Sequence, residues 1–234
     1  MLIISFKSKL NVLGALQIGG LHKALDIAAA DYKALVIYQS GAADGGAFSA
    51  GADLQSMQPM IQEHGLDIVE PEVKKLQTAF MRMKYSPVPV VAAVAGLALG
   101  GGNEIQLHAA KRVAALESYI GLVEVGVGLI PAGGGLKEAA MQGAVQAQAV
   151  GSTNLLDFIK GRFQTIATAT VAKSALEAKA LGFLQPTDTI VFNLYKLLHV
   201  ARVEALALAD AGYRPPLKQH VVFADEAAVA HADE

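Results

Sequence analysis

Cysteine is absent from the 234 residues. Disulfides, cysteine-ligated zinc, iron–sulfur clusters and thiol nucleophiles are excluded, and a reducing compartment fits. An excess of one charge is missing too. The 19 Lys and Arg stand against 21 Asp and Glu, for a formal charge of −2, and no basic stripe runs along the chain. A surface that tracks nucleic-acid phosphates is therefore not expected. Charged residues make up only 17% and hydrophobic residues 53%, the reverse of a disordered composition. That apolar majority forms no long unbroken run. The longest uncharged stretch, Tyr85 to Asn103, is interrupted by Pro87, Pro89, Gly96 and Gly100 to Gly102. It reads as a buried strand and a glycine-rich turn, not a membrane helix. Met1 to Phe6 is apolar but short, with no basic region before it, so it is not a signal peptide. The expectation is a cytoplasmic chain with no membrane partner.

Apolar runs at Leu2–Phe6, Ala34–Tyr38, Val88–Val94 and Arg112–Leu116 read as strands. Helical spacing occupies Asn11–Ala30, residues 54–84 with breaks near Gly65 and Pro71, Gly101–Ala110, and stretches near 134–150, 153–162 and 174–181. A last strong helix is read from Asp188 to Ala211, closed by Gly212 and Pro215–Pro216. Strands alternating with helices point to an α/β fold. No linker-like stretch precedes residue 212, so the expectation is one domain over 1–212 and a tail or linker over 213–234.

Three glycine clusters stand out, and their neighbours decide between chemistries. Gly100-Gly101-Gly102 is followed by Asn103-Glu104, without the Lys-Ser/Thr of a phosphate loop. Gly126-Val127-Gly128 runs into Pro131 without a third glycine, so the dinucleotide fingerprint fails as well. Ala47-Phe48-Ser49-Ala50-Gly51 looks like a nucleophile elbow whose first glycine is alanine, with His108, His199, His220 and His231 as possible triad partners. The remaining reading is a pair of turns whose backbone N–H groups clamp a carbonyl oxygen, one at Ala52 and one at Gly101. Glu104 follows Gly101 by three residues, and Glu124 sits in the apolar segment Gly121–Gly126. A carboxylate there is costly unless paired or used. Each glutamate alone has a structural reading. Beside the two turns they form a candidate acid/base pair.

At these residues the sequence resembles the crotonase family, also called the enoyl-CoA hydratase/isomerase family. The matching segments are Phe48–Leu54 (FSAGADL), Pro87–Leu107 (PVPVVAAVAGLALGGGNEIQL) and Gly121–Gly135 (GLVEVGVGLIPAGGG), in family order. The resemblance implies a crotonase-like spiral of strand–strand–helix repeats with a helical C-terminal region. It implies an acyl-CoA thioester as substrate, whose enolate oxygen is stabilised by the N–H groups of Ala52 and Gly101. It assigns Glu104 and Glu124 as catalytic carboxylates, Glu104 deprotonating a water and Glu124 protonating the α carbon, with the CoA end meeting backbone around Ser49, Ala50, Gly51 and Ala52. No metal or redox cofactor is implied.

The segments Gly128–Glu138, Ala178–Leu184 and Ala211–Pro216 look like the hydratase half of bifunctional hydroxyacyl-CoA dehydrogenases. Against the family pattern the chain starts directly at a strand and lacks closing helices past residue 212. The expectation is accordingly a domain of a larger enzyme, partnered by an upstream dehydrogenase domain or by further copies of itself. Enoyl-CoA hydration in fatty-acid β-oxidation is the leading reading. A Δ3,Δ2-enoyl-CoA isomerase, which needs one carboxylate, and a non-catalytic CoA-binding or assembly domain are the alternatives.

Overall fold

The computed structural model describes residues 1–41, 44–152 and 154–218. In chain order the elements are β1 (Leu2–Ile4), α1 (Ala15–Asp31), β2 (Leu35–Tyr38), α2 (Leu54–His64), α3 (Val69–Lys84), β3 (Val90–Leu99), α4 (Gly101–Leu107), β4 (Lys111–Gly121), α5 (Gly135–Ala149), α6 (Leu156–Ala167), β5 (Val171–Ala172), α7 (Ala175–Ala180), β6 (Thr189–Val191) and α8 (Leu197–Asp210). Strands β1 to β4 lie side by side and parallel. The short β6 continues parallel on β4, and β5 pairs antiparallel with its far end. Parallel strands need covering on both faces, so their sequences are continuously apolar. Val90, Ala92 and Val94 of β3 pack into one core with Leu21, Phe48, Phe80 and Ile105. Val91, Ala93 and Ala95 pack into a second core against Leu197, Ala201 and Ala205 of α8. The alanines let α8 approach the sheet closely.

The feature that builds the site is a corner in β3. Its register with β4 shifts between Val94 and Gly96. Gly96 has φ +61°, and a Cβ there would lie 2.6 Å from the Gly46 carbonyl oxygen, so only glycine fits. Beyond the corner Ala98 pairs with Ser49. The strand therefore runs on to Leu99, five residues past the expected end at Val94, and delivers Gly100 and α4 beside the Phe48–Asp53 turn.

Other boundaries shift for local reasons. Helix α1 begins at Ala15, not Asn11, because Leu10 and Asn11 are left-handed and Leu13 pairs with Ala52. Gly65 breaks the 54–84 region as expected, but Pro71 does not. It falls in the first turn of α3, where no intrahelical N–H is needed. The helix expected from Asp188 starts only at Leu197. Residues 189–191 are instead drawn into the sheet as β6. Asp188, buried, anchors them: its carboxylate accepts the Arg112 N–H (3.0 Å), Arg112 Nε–H (2.7 Å) and the Gln185 N–H (2.6 Å). Asp188→Ala leaves the buried Arg112 uncompensated and is expected to destabilise the fold by about 3–5 kcal/mol, read as a lower urea midpoint. An unchanged midpoint would show the pair to be dispensable. No helix among the described residues is long and apolar enough to cross a membrane. Of the expected tail over 213–234, residues 219–234 lie outside the described residues.

Candidate active site

Close backbone approach comes first. Gly102 carries no Cβ because one would collide with the Ser49 carbonyl. Gly51, at φ +108°, would place a Cβ 3.0 Å from the Leu99 carbonyl oxygen and 3.4 Å from the Gly101 nitrogen. With these glycines the Phe48–Asp53 turn lies directly on the junction of β3 and α4. A Cβ on Gly101 would sit 3.2 Å from the Ala52 nitrogen, so the two expected donors are neighbours. The flanking N–H groups are taken: Asp53 donates to the Leu13 carbonyl and Gly100 to the Gly121 carbonyl. The N–H groups of Ala52 and Gly101 have no backbone acceptor among the described residues. Two adjacent unclaimed donors on glycine-rich backbone are what a developing oxyanion needs.

The carboxylates come to the same place from different elements. Glu104, on α4, is only 2% exposed. Its Oε1 accepts the Gly135 N–H at 2.8 Å, and Gly133 abuts its Oε2. Glu124 opens a single 3-10 turn, Glu124–Val127, after β4. Its carboxyl lies over Gly100, with Oε1 3.2 Å from where a Cβ would stand. Its Oε2 is buried without a hydrogen-bond partner among the described residues. Burial pushes the Glu104 carboxyl up from 4.5 to about 7. The Gly135 N–H pulls it down, and the charge of Glu124 pushes it further up. Burial also raises Glu124, against the pull of its own and the Val123 N–H groups. Two buried carboxyls that repel each other hold a proton between them more readily than two exposed ones.

Ser49 is fully buried. Its Oγ accepts the Gly51 N–H at 3.2 Å, its N–H donates to the Leu97 carbonyl, and its carbonyl accepts the Leu99 N–H. Every one of these bonds is structural and the side chain is fully buried, so Ser49 does not present a nucleophile; no histidine is its partner among the described residues, and His220 and His231 lie outside them. Ala50, half-buried, donates its N–H to the Leu10 carbonyl. Ser49, Ala50 and Gly51 thus shape the turn that presents Ala52.

The structure adds residues that spacing did not single out. His108, one turn after Glu104 and capping the end of α4, is 1% exposed and touches the Glu104 carbonyl, Lys137 and Glu138. Lys84 from α3 closes the cluster on Glu138. The available signal was His108 at four residues from Glu104, a spacing that shares a helix face, together with Lys137-Glu138 one residue beyond the triple glycine, after Leu136.

With this geometry in place, comparison with known proteins is informative. The pattern of the family described as enoyl-CoA hydratase/isomerase matches residues 2–151. The "Probable 3-hydroxyacyl-CoA dehydrogenase" of Bacillus subtilis (strain 168) is 39% identical over 97% of this chain, which spans 28% of that protein's length. Mitochondrial methylglutaconyl-CoA hydratase of Rattus norvegicus is 37% identical over 82% of this chain and 64% of its own. Among solved structures, an enoyl-CoA hydratase from Bacillus anthracis superposes with TM-score 0.68 at 26% identity, covering 88% of this chain and 72% of that one. An enoyl-CoA hydratase from Polaromonas sp. JS666 gives TM-score 0.69 at 24% identity, covering 88% and 73%, and supports the fold alone.

Proposed function

This chain belongs to the enoyl-CoA hydratase/isomerase family, and from that premise we propose that it is an enoyl-CoA hydratase, adding water to a trans-2-enoyl-CoA to give a 3-hydroxyacyl-CoA in fatty-acid β-oxidation. The observation that carries the reading is the pair Glu104 and Glu124, two carboxyls both raised by burial and coupled by charge, beside the two unclaimed N–H groups of Ala52 and Gly101. Those N–H groups receive the thioester oxygen, which gains charge when C3 is attacked. Glu104, held by the Gly135 N–H and titrating near 7, is suited to take a proton from water at neutral pH. The hydroxide so released bonds to C3, and the C2=C3 electrons move onto the thioester as an enolate. Glu124, whose Oε2 has no partner among the described residues, returns a proton to C2. The carboxyls end with their protonation states exchanged, and one proton passing between them restores the pair. The Ala50–Ala52 turn is where the CoA end approaches.

The dehydrogenase name and greater length of the Bacillus subtilis relative support reading this chain as the hydratase portion of a bifunctional enzyme. The test is direct. Mixed with crotonyl-CoA, the protein should bleach the conjugated enoyl-thioester absorbance and yield 3-hydroxybutyryl-CoA. With a 3-enoyl-CoA it should give little 2-enoyl product. The opposite preference would make it an isomerase. Binding of both without turnover would leave a CoA-binding domain.

A further inference from the structure

Behind the carboxyl pair lies a cluster that the proposed chemistry does not use. The His108 Nδ1 is 2.7 Å from the Glu104 carbonyl oxygen, and its Nε2 is 3.0 Å from the Lys137 Nζ. A carbonyl only accepts and an ammonium only donates. Nδ1 therefore carries the hydrogen, Nε2 offers a lone pair, and the ring is neutral. Burial acts in the same direction, pushing the imidazole from 6.5 down to about 4. The Phe80 ring of α3 packs against the imidazole at 5.4 Å between centroids. On α5, Glu138 lies 3.5 Å from Nε2 and pairs with Lys137 (2.8 Å). It also receives Lys84 of α3 on both oxygens (2.6 and 2.8 Å).

This cluster meets the site through one turn. A Cβ on Gly134, at φ +127°, would lie 2.7 Å from the His108 Cε1, so the turn rests on the ring. The Glu138 N–H donates to the Gly134 carbonyl at 2.9 Å. On the turn's other side the Gly135 N–H holds the Glu104 Oε1, and Gly133 abuts Oε2. The turn is thus clamped between the imidazole and the catalytic carboxyl. An apolar side chain at 108 would fill the same space without burying a charged cluster, which is rarely the more stable choice.

We propose that His108 is the positioning residue of Glu104: its neutral imidazole fastens the Glu104 carbonyl to the Lys137–Glu138 pair and so holds the Gly133–Gly135 turn against the Glu104 carboxyl. The kinetic part of its test rests on the hydratase reading; the titration part does not.

Four forms separate positioning from packing: the parent, His108→Leu, His108→Asn and Lys137→Met, each with and without Glu104→Gln. His108→Leu is expected to lower kcat for crotonyl-CoA by about tenfold to a hundredfold, the scale of a misplaced catalytic group, with KM unchanged. His108→Asn, whose Nδ2 can replace Nδ1 as donor to the Glu104 carbonyl, should recover most of that loss. In the Glu104→Gln background neither change should lower the residual rate further, because they act through a carboxylate no longer there. Independently of activity, carboxyl carbon NMR should show Glu104 titrating at higher pH in His108→Leu than in the parent, since the Gly135 N–H that lowers it is slackened. Equal fractional losses in both backgrounds, or an unmoved Glu104 midpoint in folded His108→Leu, would overturn the proposal. Should His108→Leu not fold, His108→Asn and Lys137→Met decide. Lys137 is partly exposed and removable, and an unmoved Glu104 midpoint in Lys137→Met, or a kcat loss in His108→Asn that persists undiminished in the Glu104→Gln background, rejects the assignment. A parent that hydrates nothing removes the hydratase reading, while the titration still judges the positioning.

Discussion

Glu104→Gln is expected to lower hydration of crotonyl-CoA by about a hundredfold to ten-thousandfold, the range of a lost general acid or base, and at the same time to make the protein harder to unfold at pH 8. The amide keeps the volume and can still accept the Gly135 N–H, so packing survives. What disappears is a charge that the fold holds at a disadvantage. The Glu104 carboxyl lies at about 7 in the folded protein against an ordinary 4.5. A native state with the raised value binds the proton more tightly than the unfolded chain. Its stability is therefore fully present below pH 4.5 and declines as pH rises through 7. A gap of this size corresponds to something on the order of 3 kcal/mol. Urea unfolding should thus show Glu104→Gln more stable than the parent at pH 8, with the difference shrinking toward pH 4.5. Glu124→Gln should lose hydration comparably and gain less stability, its carboxyl being less deeply buried. Parental turnover in either variant removes that residue's catalytic role. A parent and a Glu104→Gln protein with identical pH dependence of unfolding would mean that the carboxyl is not strained by burial.

How much of this was readable beforehand depends on the range of the interaction involved. The parallel strands announced themselves, because burial on both faces forces runs such as LVIY and VVAAV. The glycine clusters marked the close approaches, and the isolated Glu124 in an apolar segment marked a candidate acid/base carboxyl. The corner at Gly96 was not legible. A single glycine in an apolar strand looks like an end, and only the facing Gly46 carbonyl shows it to be a bend. The start of α8 was misplaced for a similar reason. Apolar residues at helical spacing over Asp188 to Lys196 suggest the front of the helix, but Thr189-Ile190-Val191-Phe192 is β-branched and aromatic, the composition of a strand, and Asp188, bound to Arg112 76 residues away, ties it to the sheet. The cluster around His108 was hidden because its members come from α3, the C-cap of α4, and α5. No window of sequence contains them together, and a lone histidine offered itself only as a hydrolase partner for Ser49, which the structure denies it.

Gly101→Pro should reduce hydration by about a hundredfold or more, the usual loss when one oxyanion donor is removed, and the control that makes it interpretable is Gly101→Ala. Proline has no N–H, and position 101 is the first residue of α4, where proline's fixed φ is tolerated and no intrahelical bond is lost. Gly100, the preceding residue, is free of the restriction proline imposes on residues with a Cβ. Both substitutions add a Cβ that stands 3.2 Å from the Ala52 nitrogen, so both crowd the second donor by the same few tenths of an ångström. Only proline deletes the first. Crowding of Ala52 by the Cβ alone predicts equal losses in the two variants; proline in addition replaces the N–H hydrogen by its Cδ. Loss of the donor predicts that alanine falls modestly and proline falls further, with the extra factor in kcat more than in KM, because the oxyanion forms only after binding. Far-ultraviolet circular dichroism of both variants should match the parent. Equal kcat in folded Gly101→Pro and Gly101→Ala would remove the Gly101 N–H from the reaction and leave Ala52 to hold the oxyanion with some other donor.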